Sequence, residues 1–208
     1  MRYRDYKTFS PGQYYHIFNR GNNKKSIFID DSDYFHFIKR AKLTLGLQPS
    51  AQGPSLSKRN SIRFQPVPKN SFDIIAYCLM PNHYHFLIKQ NDETTIDRFI
   101  SKLCTSYSAY FRKKYAHFGH IFQDKFKAKP VENDTYLMYL SAYIHNNPKN
   151  PLNYKHSSIL DYAGLREDNL TNKDFLLSLF SNNKTQYINF VTNFNEEDAK
   201  KVHDESFS

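Results

Sequence analysis

Two runs rich in β-branched and aromatic residues, Phe72 to Leu79 (FDIIAYCL) and His83 to Gln90 (HYHFLIKQ), are separated only by Met80-Pro81-Asn82. Runs of this length bounded by a Pro-Asn turn signal read as strands, and so short a link makes them pair antiparallel. A chain organised around such a hairpin needs further strands to make a sheet and helices to cover it. Tyr14 to Phe18 supplies one strand, closed by the turn-like Asn19-Arg20-Gly21-Asn22-Asn23. Phe126 to Val131 supplies another, and Pro130, which cannot donate to a ladder, confines it to an edge or an early end.

Between these runs the apolar period changes from two to about 3.6 residues. From Asp30 and Asp31 to Leu45, the residues Tyr34, Phe37, Ile38, Ala41 and Leu45 recur at helical spacing behind an acidic first turn that suits the helix dipole. From Thr94 to Tyr115, Ile96, Phe99, Ile100, Leu103, Tyr107, Tyr110 and Phe111 do the same, and Arg112-Lys113-Lys114 close that helix at its negative end. Asp134 can cap a further helix running to Asn147, where Pro148 stops it. The order β, α, β, β, α, β, α predicts an α+β chain of ferredoxin-like (RRM-like) type, an antiparallel sheet with helices on one face and one appended helix. This assigns 1–148 to one domain. Within it, 46–71 reads as a basic loop insertion, with Pro49, Pro54, Pro66 and Pro68 and with Lys58, Arg59, Arg63 and Lys69 opposed by no acid. The remainder, 149–208, reads as a small C-terminal helical extension built on Phe175 to Phe180 and Tyr187 to Phe194, with a frayed acidic tail.

Charge narrows the choice of partner. The 208 residues hold 29 Lys and Arg against 20 Asp and Glu, a net +9, and such a field suits polyanions. The cations also cluster. Lys102, Arg112, Lys113, Lys114, Lys125, Lys127 and Lys129 face only Asp124, with Tyr and Phe residues interleaved. On a single-stranded nucleic-acid surface, cations follow the backbone while aromatic faces stack on bases. Arg20, after the first strand, is a further candidate. No apolar stretch approaches the roughly 20 residues a bilayer requires, and the opening MRYRDYKTFS lacks the apolar core of a secretory signal. The expectation is a cytoplasmic, nucleoid-associated chain with no membrane partner. Two cysteines, Cys78 and Cys104, cannot build a disulfide scaffold.

His83 and His85 stand at i and i+2 of a strand, so both imidazoles point to one sheet face and can share a divalent ion. With nine histidines in the chain such a pair also arises by chance, and a third donor is needed. The last predicted helix offers one. Tyr143 and Asn147 lie four apart, one above the other, at the edge of the apolar stripe Leu137, Leu140, Ile144. The Asn147 amide oxygen can complete a His, His, Asn set with positions open for phosphate oxygens. Tyr143 would then sit beside a scissile phosphate. The same pattern also fits tyrosines packed at a core rim with an asparagine ending a helix before proline. His117 and His120 give a second metal-compatible spacing, interrupted by Gly119.

The wording around these residues goes further. Ala76-Tyr77-Cys78-Leu79-Met80-Pro81-Asn82-His83-Tyr84-His85-Phe86-Leu87-Ile88, followed downstream by Tyr143-Ile144-His145-Asn146-Asn147-Pro148, closely resembles the REP-associated tyrosine transposases, single-tyrosine insertion-sequence transposases of the HUH class. Phe18-Asn19-Arg20-Gly21-Asn22, Ile27-Phe28-Ile29-Asp30-Asp31, Gly119-His120-Ile121-Phe122-Gln123-Asp124-Lys125-Phe126-Lys127 and Tyr154-Lys155-His156-Ser157-Ser158 also look like family segments, in family order.

The resemblance implies a metal-dependent single-stranded DNA endonuclease and strand transferase acting on hairpin-forming DNA in transposition and recombination. It makes His83 and His85 ligands of Mg2+ or Mn2+, with Asn147 the polar residue one helical turn after the nucleophile. That nucleophile is Tyr143, which would form a 5′-phosphotyrosine intermediate. Arg20, Arg112, Lys113, Lys125 and Lys127 are the expected DNA contacts. Lys125 stands where family members usually carry Arg, and 46–71 is longer and richer in proline than expected of them. A homodimer is compatible with this reading, Tyr143 serving its own histidines or a partner's. The alternative is a non-catalytic nucleic-acid-binding protein on the same fold. It leaves the H-x-H pair idle, and no stretch resembles the aromatic RNP1 pattern of an RRM.

Overall fold

The computed structural model describes residues 8–47 and 65–204. Most of the Pro-rich basic stretch, including Pro49, Pro54, Lys58, Arg59 and Arg63, lies outside the described residues. The alternating apolar runs form four strands, β1 (Tyr14–Arg20), β2 (Phe72–Met80), β3 (His83–Gln90) and β4 (Lys127–Val131). They make one antiparallel sheet in the order β2-β3-β1-β4, which is the ferredoxin-like arrangement expected from the element order. β4 is an edge strand, as Pro130 requires. The hairpin link is tighter than the sequence suggests, because Met80 continues β2 and pairs with His83. β1 likewise runs past Phe18, since Asn19 and Arg20 pair with Tyr84 and His83. Gly21 then meets a short 3-10 turn, Asn22–Lys24. A Cβ at Gly21 would collide with the Lys25 carbonyl.

Two helices, α1 (Asp31–Thr44) and α2 (Ile96–Tyr115), cover one face of the sheet. Ile17, Tyr77, Tyr84 and Phe86 point to that face and pack with Phe37, Phe99, Leu103 and Tyr107. Asp30 caps α1 in a reciprocal capping box with Asp33. Lys114, in the last turn of α2, donates to Asp30 at 2.7 Å and to the fully buried Asp33 at 2.8 Å. Its ammonium therefore ties α2 to α1, a correction to its place in the basic cluster read from the sequence.

The end of the chain covers the opposite face. Asn133, not Asp134, caps α3 (Asp134–His145), accepting the Tyr136 N–H at 2.7 Å. Asp134 is the first helical residue, and the helix stops two residues short of Asn147. After a 3-10 turn at Pro151–Asn153 come α4 (Ile159–Tyr162), α5 (Asp174–Ser178), α6 (Lys184–Thr192) and α7 (Glu196–Asp204). A bulge between Ile74 and Ala76 turns Ile75 and Ala76 together onto this face. They pack there with Leu87, Leu140, Ile144, Tyr162 and Tyr187. The acidic stretch expected to fray is helical through Asp204, because Asn195 accepts the Glu197 and Asp198 N–H groups and the acids occupy the first turn. A bidentate pair fixes this layer to β2. Arg166 donates to both oxygens of the buried Asp161 at 2.7 Å and reaches the Tyr77 hydroxyl at 2.8 Å. Among the described residues no helix is long and apolar enough to cross a membrane.

Candidate functional site

Directly opposed residues of an antiparallel pair share a face, and Phe18 opposes His85. On the face covered by α3, β3 therefore presents His83 and His85, and β1 presents His16 and Phe18. His16 lies diagonally from His85, its Nε2 2.8 Å from His85 Nδ1 in a buried hydrogen bond. Their rings stack at 5.1 Å, with Phe18 alongside. Burial, and then the neighbouring His16 and His83, hold the His85 pKa well below the ordinary imidazole value. The ring is neutral, and with Nδ1 engaged by His16 the nitrogen left available as a donor to a metal is Nε2.

His83 sits between two amide oxygens. Its Nδ1 is 2.6 Å from Asn82 Oδ1 and its Nε2 is 3.2 Å from Asn147 Oδ1. Both amides are oriented by their nitrogens, since Asn82 Nδ2 donates to the Lys24 carbonyl and Asn147 Nδ2 to the Tyr143 carbonyl. Burial lowers the His83 pKa, with the Asn147 contact opposing and Arg20 reinforcing. A neutral imidazole has one N–H to give. Given to the nearer Asn82, it leaves the Nε2 lone pair facing a lone pair of Asn147, an arrangement that a cation between them completes. Two donors at this separation suit adjacent ligands of a six-coordinate ion with bonds of about 2.1 Å. The His85 ring is perpendicular to that of His83 at 5.1 Å and offers the third donor. Imidazole and amide oxygen with open positions fit Mg2+, Mn2+ or a related ion. Among the described residues no three His, Cys, Asp or Glu side chains converge on a metal site, so His117 and His120 have no third ligand of these types beside them and the His83–His85 pair depends on Asn147 for its third donor.

α3 carries Tyr143 onto the same cluster. Its ring meets His85 and His16 edge-on, with centroids 6.0 and 6.5 Å away. Asn147 stays beneath it although the helix has ended, because its side chain caps the Tyr143 carbonyl at 3.0 Å. Tyr136, about two helical turns earlier, is buried in the core. Burial raises the Tyr143 pKa, so the phenol is protonated at neutral pH and must shed that proton to act as a nucleophile.

The predicted cations divide between the two faces. Arg20 pairs with His83 across the strands. Lys127 and Lys129 oppose Phe18 and His16 and share their face, with Lys127 Nζ 5.9 Å from the Phe18 ring centroid. Lys125 is exposed in the segment entering β4, where Gln123 N–H donates to the Arg20 carbonyl and Asn19 Nδ2 to that of Asp124. Arg112 and Lys113 are exposed on the last turn of α2, which covers the opposite face, so the fold does not bring them to the tyrosine. His16 is a site-face residue that the sequence did not single out, whereas Lys129 belongs to the basic cluster read from it. Burial, then Lys127, pushes the Lys129 pKa down to about 8. The one signal for His16 in the sequence is the strand alternation that sets Tyr14, His16 and Phe18 against Tyr15 and Ile17.

Residues 56–147 match a protein family described as "Transposase IS200 like", a stretch that includes His83, His85, Tyr143 and Asn147. Among solved structures, a REP-associated tyrosine transposase bound to a REP hairpin is similar at a TM-score of 0.55 and 12% identity, over 81% of this chain and 97% of that one. A Deinococcus radiodurans R1 protein assigned as a transposase aligns at a TM-score of 0.41 and 13% identity, over 69% and 96%. No curated protein sequence matches the chain. The family match bears out the resemblance carried by the motifs, and the first structure shares the fold.

Proposed function

From a chain that resembles the IS200-like transposases over residues 56–147, we propose a metal-dependent DNA strand transferase that cuts single-stranded, hairpin-forming DNA through Tyr143 and rejoins it. The observation that carries this reading is that His83 Nε2 and Asn147 Oδ1 face each other at 3.2 Å, with Tyr143 directly above Asn147 and against His85. The REP hairpin held by the structural relative is what motivates a hairpin substrate.

His83, His85 and Asn147 would hold Mg2+ or Mn2+, which when bound neutralises charge on the phosphate oxygens. Tyr143 Oη attacks the scissile phosphorus. The Tyr–O–P bond forms as the P–O3′ bond breaks, the phenolic proton passes to solvent, and the departing oxygen takes up a proton as a 3′-OH. The resulting 5′-phosphotyrosine keeps the phosphodiester energy, so attack by another 3′-OH reverses the step and joins strands without a nucleoside triphosphate. Arg20, Lys127 and Lys129 set positive charge where the backbone must pass, and Lys125 extends that line along the loop. Arg112 and Lys113 would meet only DNA that continues past the end of α2.

Cleavage of a labelled single-stranded hairpin is expected to need Mg2+ or Mn2+, to stop in chelator, and to fall to background in His83→Ala at unchanged circular dichroism. Full activity of His83→Ala, or cleavage undiminished in chelator, would remove the metal from the proposal.

A further inference from the structure

Between Tyr143 and Asn147 lie Ile144, His145 and Asn146, and the C-terminal extension grips the last two. Two residues along a helix is a rotation of about 200°, so His145 points away from the site while belonging to the turn that carries it. His145 is fully buried. Its Nδ1 lies 2.7 Å from the Tyr187 hydroxyl on α6 and its Nε2 lies 2.8 Å from Ser158 Oγ. The Tyr187 hydroxyl donates at 3.1 Å to Ser141 Oγ, one turn earlier on α3, and Ser141 donates to the Met138 carbonyl. Ser158 Oγ accepts the Tyr77 N–H of β2 at 2.8 Å. Asn146 Nδ2 donates at 2.7 Å to the Val191 carbonyl on α6. The single Ser158 proton has two acceptors in reach, His145 Nε2 at 2.8 Å and the Tyr77 carbonyl at 3.2 Å. Because the Tyr187 hydroxyl gives its own proton to Ser141, His145 Nδ1–H donates to Tyr187 and Nε2 takes the Ser158 proton over the shorter contact.

We propose that this network makes the C-terminal extension a positioning device: Tyr187 and Ser158, acting through His145, set the rotation and axial placement of the last turn of α3. They thereby set the separation of Tyr143 and Asn147 from His83 and His85. The apolar packing of the same layer presses α3 onto the sheet but is non-directional, whereas hydrogen bonds of this geometry fix an angle. His145 and Tyr187 are positioning residues, since neither faces the site. What they position rests on the strand-transferase reading, while the clamp itself does not.

The test compares Tyr187→Phe with Tyr162→Phe in the full chain. Tyr162 is an equally buried tyrosine of the same layer whose hydroxyl donates at 2.7 Å to the Ile75 carbonyl on β2 and not to α3. Loss of either hydroxyl leaves the ring packing in place, so the two variants share the cost of a lost hydrogen bond and differ in whether α3 is released. Two readouts are needed. Hydrogen exchange at the 144–147 amides is expected to be about tenfold or more faster in Tyr187→Phe than in Tyr162→Phe. The single-turnover rate of protein–DNA adduct formation is expected to fall about tenfold or more in Tyr187→Phe alone, at unchanged DNA affinity, because small misplacements of reacting groups are costly. Equal exchange in the two variants would overturn the clamp, and equal adduct rates would overturn its role in the chemistry. A wild-type chain that forms no adduct would sink the strand-transferase reading while the exchange data still decide the clamp.

Discussion

His85 cannot turn its ring without breaking the buried 2.8 Å bond to His16. In the metal-binding role we propose for it, a ring held this way offers one nitrogen in one direction, and outer partners of this kind are worth about 10- to 100-fold in metal affinity. His16→Leu keeps apolar bulk on that face and deletes the bond, and Mn2+ affinity by titration calorimetry is expected to drop by that factor. Unchanged affinity would show that His85 orients itself. The same pair marks a limit of reading from sequence. His83 with His85, and Tyr143 with Asn147, are legible because i, i+2 in a strand and i, i+4 in a helix fix a shared face locally. His16 joins them only through the β1–β3 register, which no local pattern states. Lys114 was misplaced for the same reason. Its carboxylate partners, Asp30 and Asp33, belong to a different helix, and nothing near Lys114 in the sequence announces them.

Among the elements, the hairpin, the two long helices and the edge strand with Pro130 follow from periodicity and turn chemistry. Element ends moved by a residue or two where side chains compete, as when Asn133 rather than Asp134 took the cap of α3. The α1–α2 interface carries a pH dependence that belongs to this scale. His36 stacks on Tyr110 with centroids 3.7 Å apart, and burial, then Arg40, hold its pKa at about 4 against an ordinary 6.5. Between those two values the unfolded chain binds the proton that the folded one refuses. His36 therefore costs no stability above pH 6.5, and an increasing amount as pH falls from 6.5 to about 4. In His36→Phe, which keeps the ring stack, the loss of urea midpoint between pH 7 and pH 5 is expected to be smaller than in wild type. An identical loss would place the proton uptake on other histidines.

At the scale of the whole molecule, the sheet is covered twice, by α1 and α2 on one face and by α3 with the extension on the other. The apolar stretches of the extension announced helices in the sequence, but not the face they would occupy, because docking depends on a bulge in β2 and on Arg166. Burial pushes the Asp161 carboxyl pKa up while Arg166 opposes it, so removing the guanidinium strands a buried acid. Arg166→Leu is expected to cost about 3 kcal/mol in urea unfolding, the scale of a broken buried pair, with part recovered by adding Asp161→Asn. A cost near zero would mean that the extension docks by apolar packing alone. The account turns on Tyr143. Wild type and Tyr143→Phe would be incubated with Mn2+ or Mg2+ and labelled single-stranded hairpin DNA, then run on a denaturing gel. Label that stays on the wild-type protein and is absent from the variant, at equal DNA binding in a native gel, is the predicted result; DNA bound by both chains with no covalent label on either would contradict it.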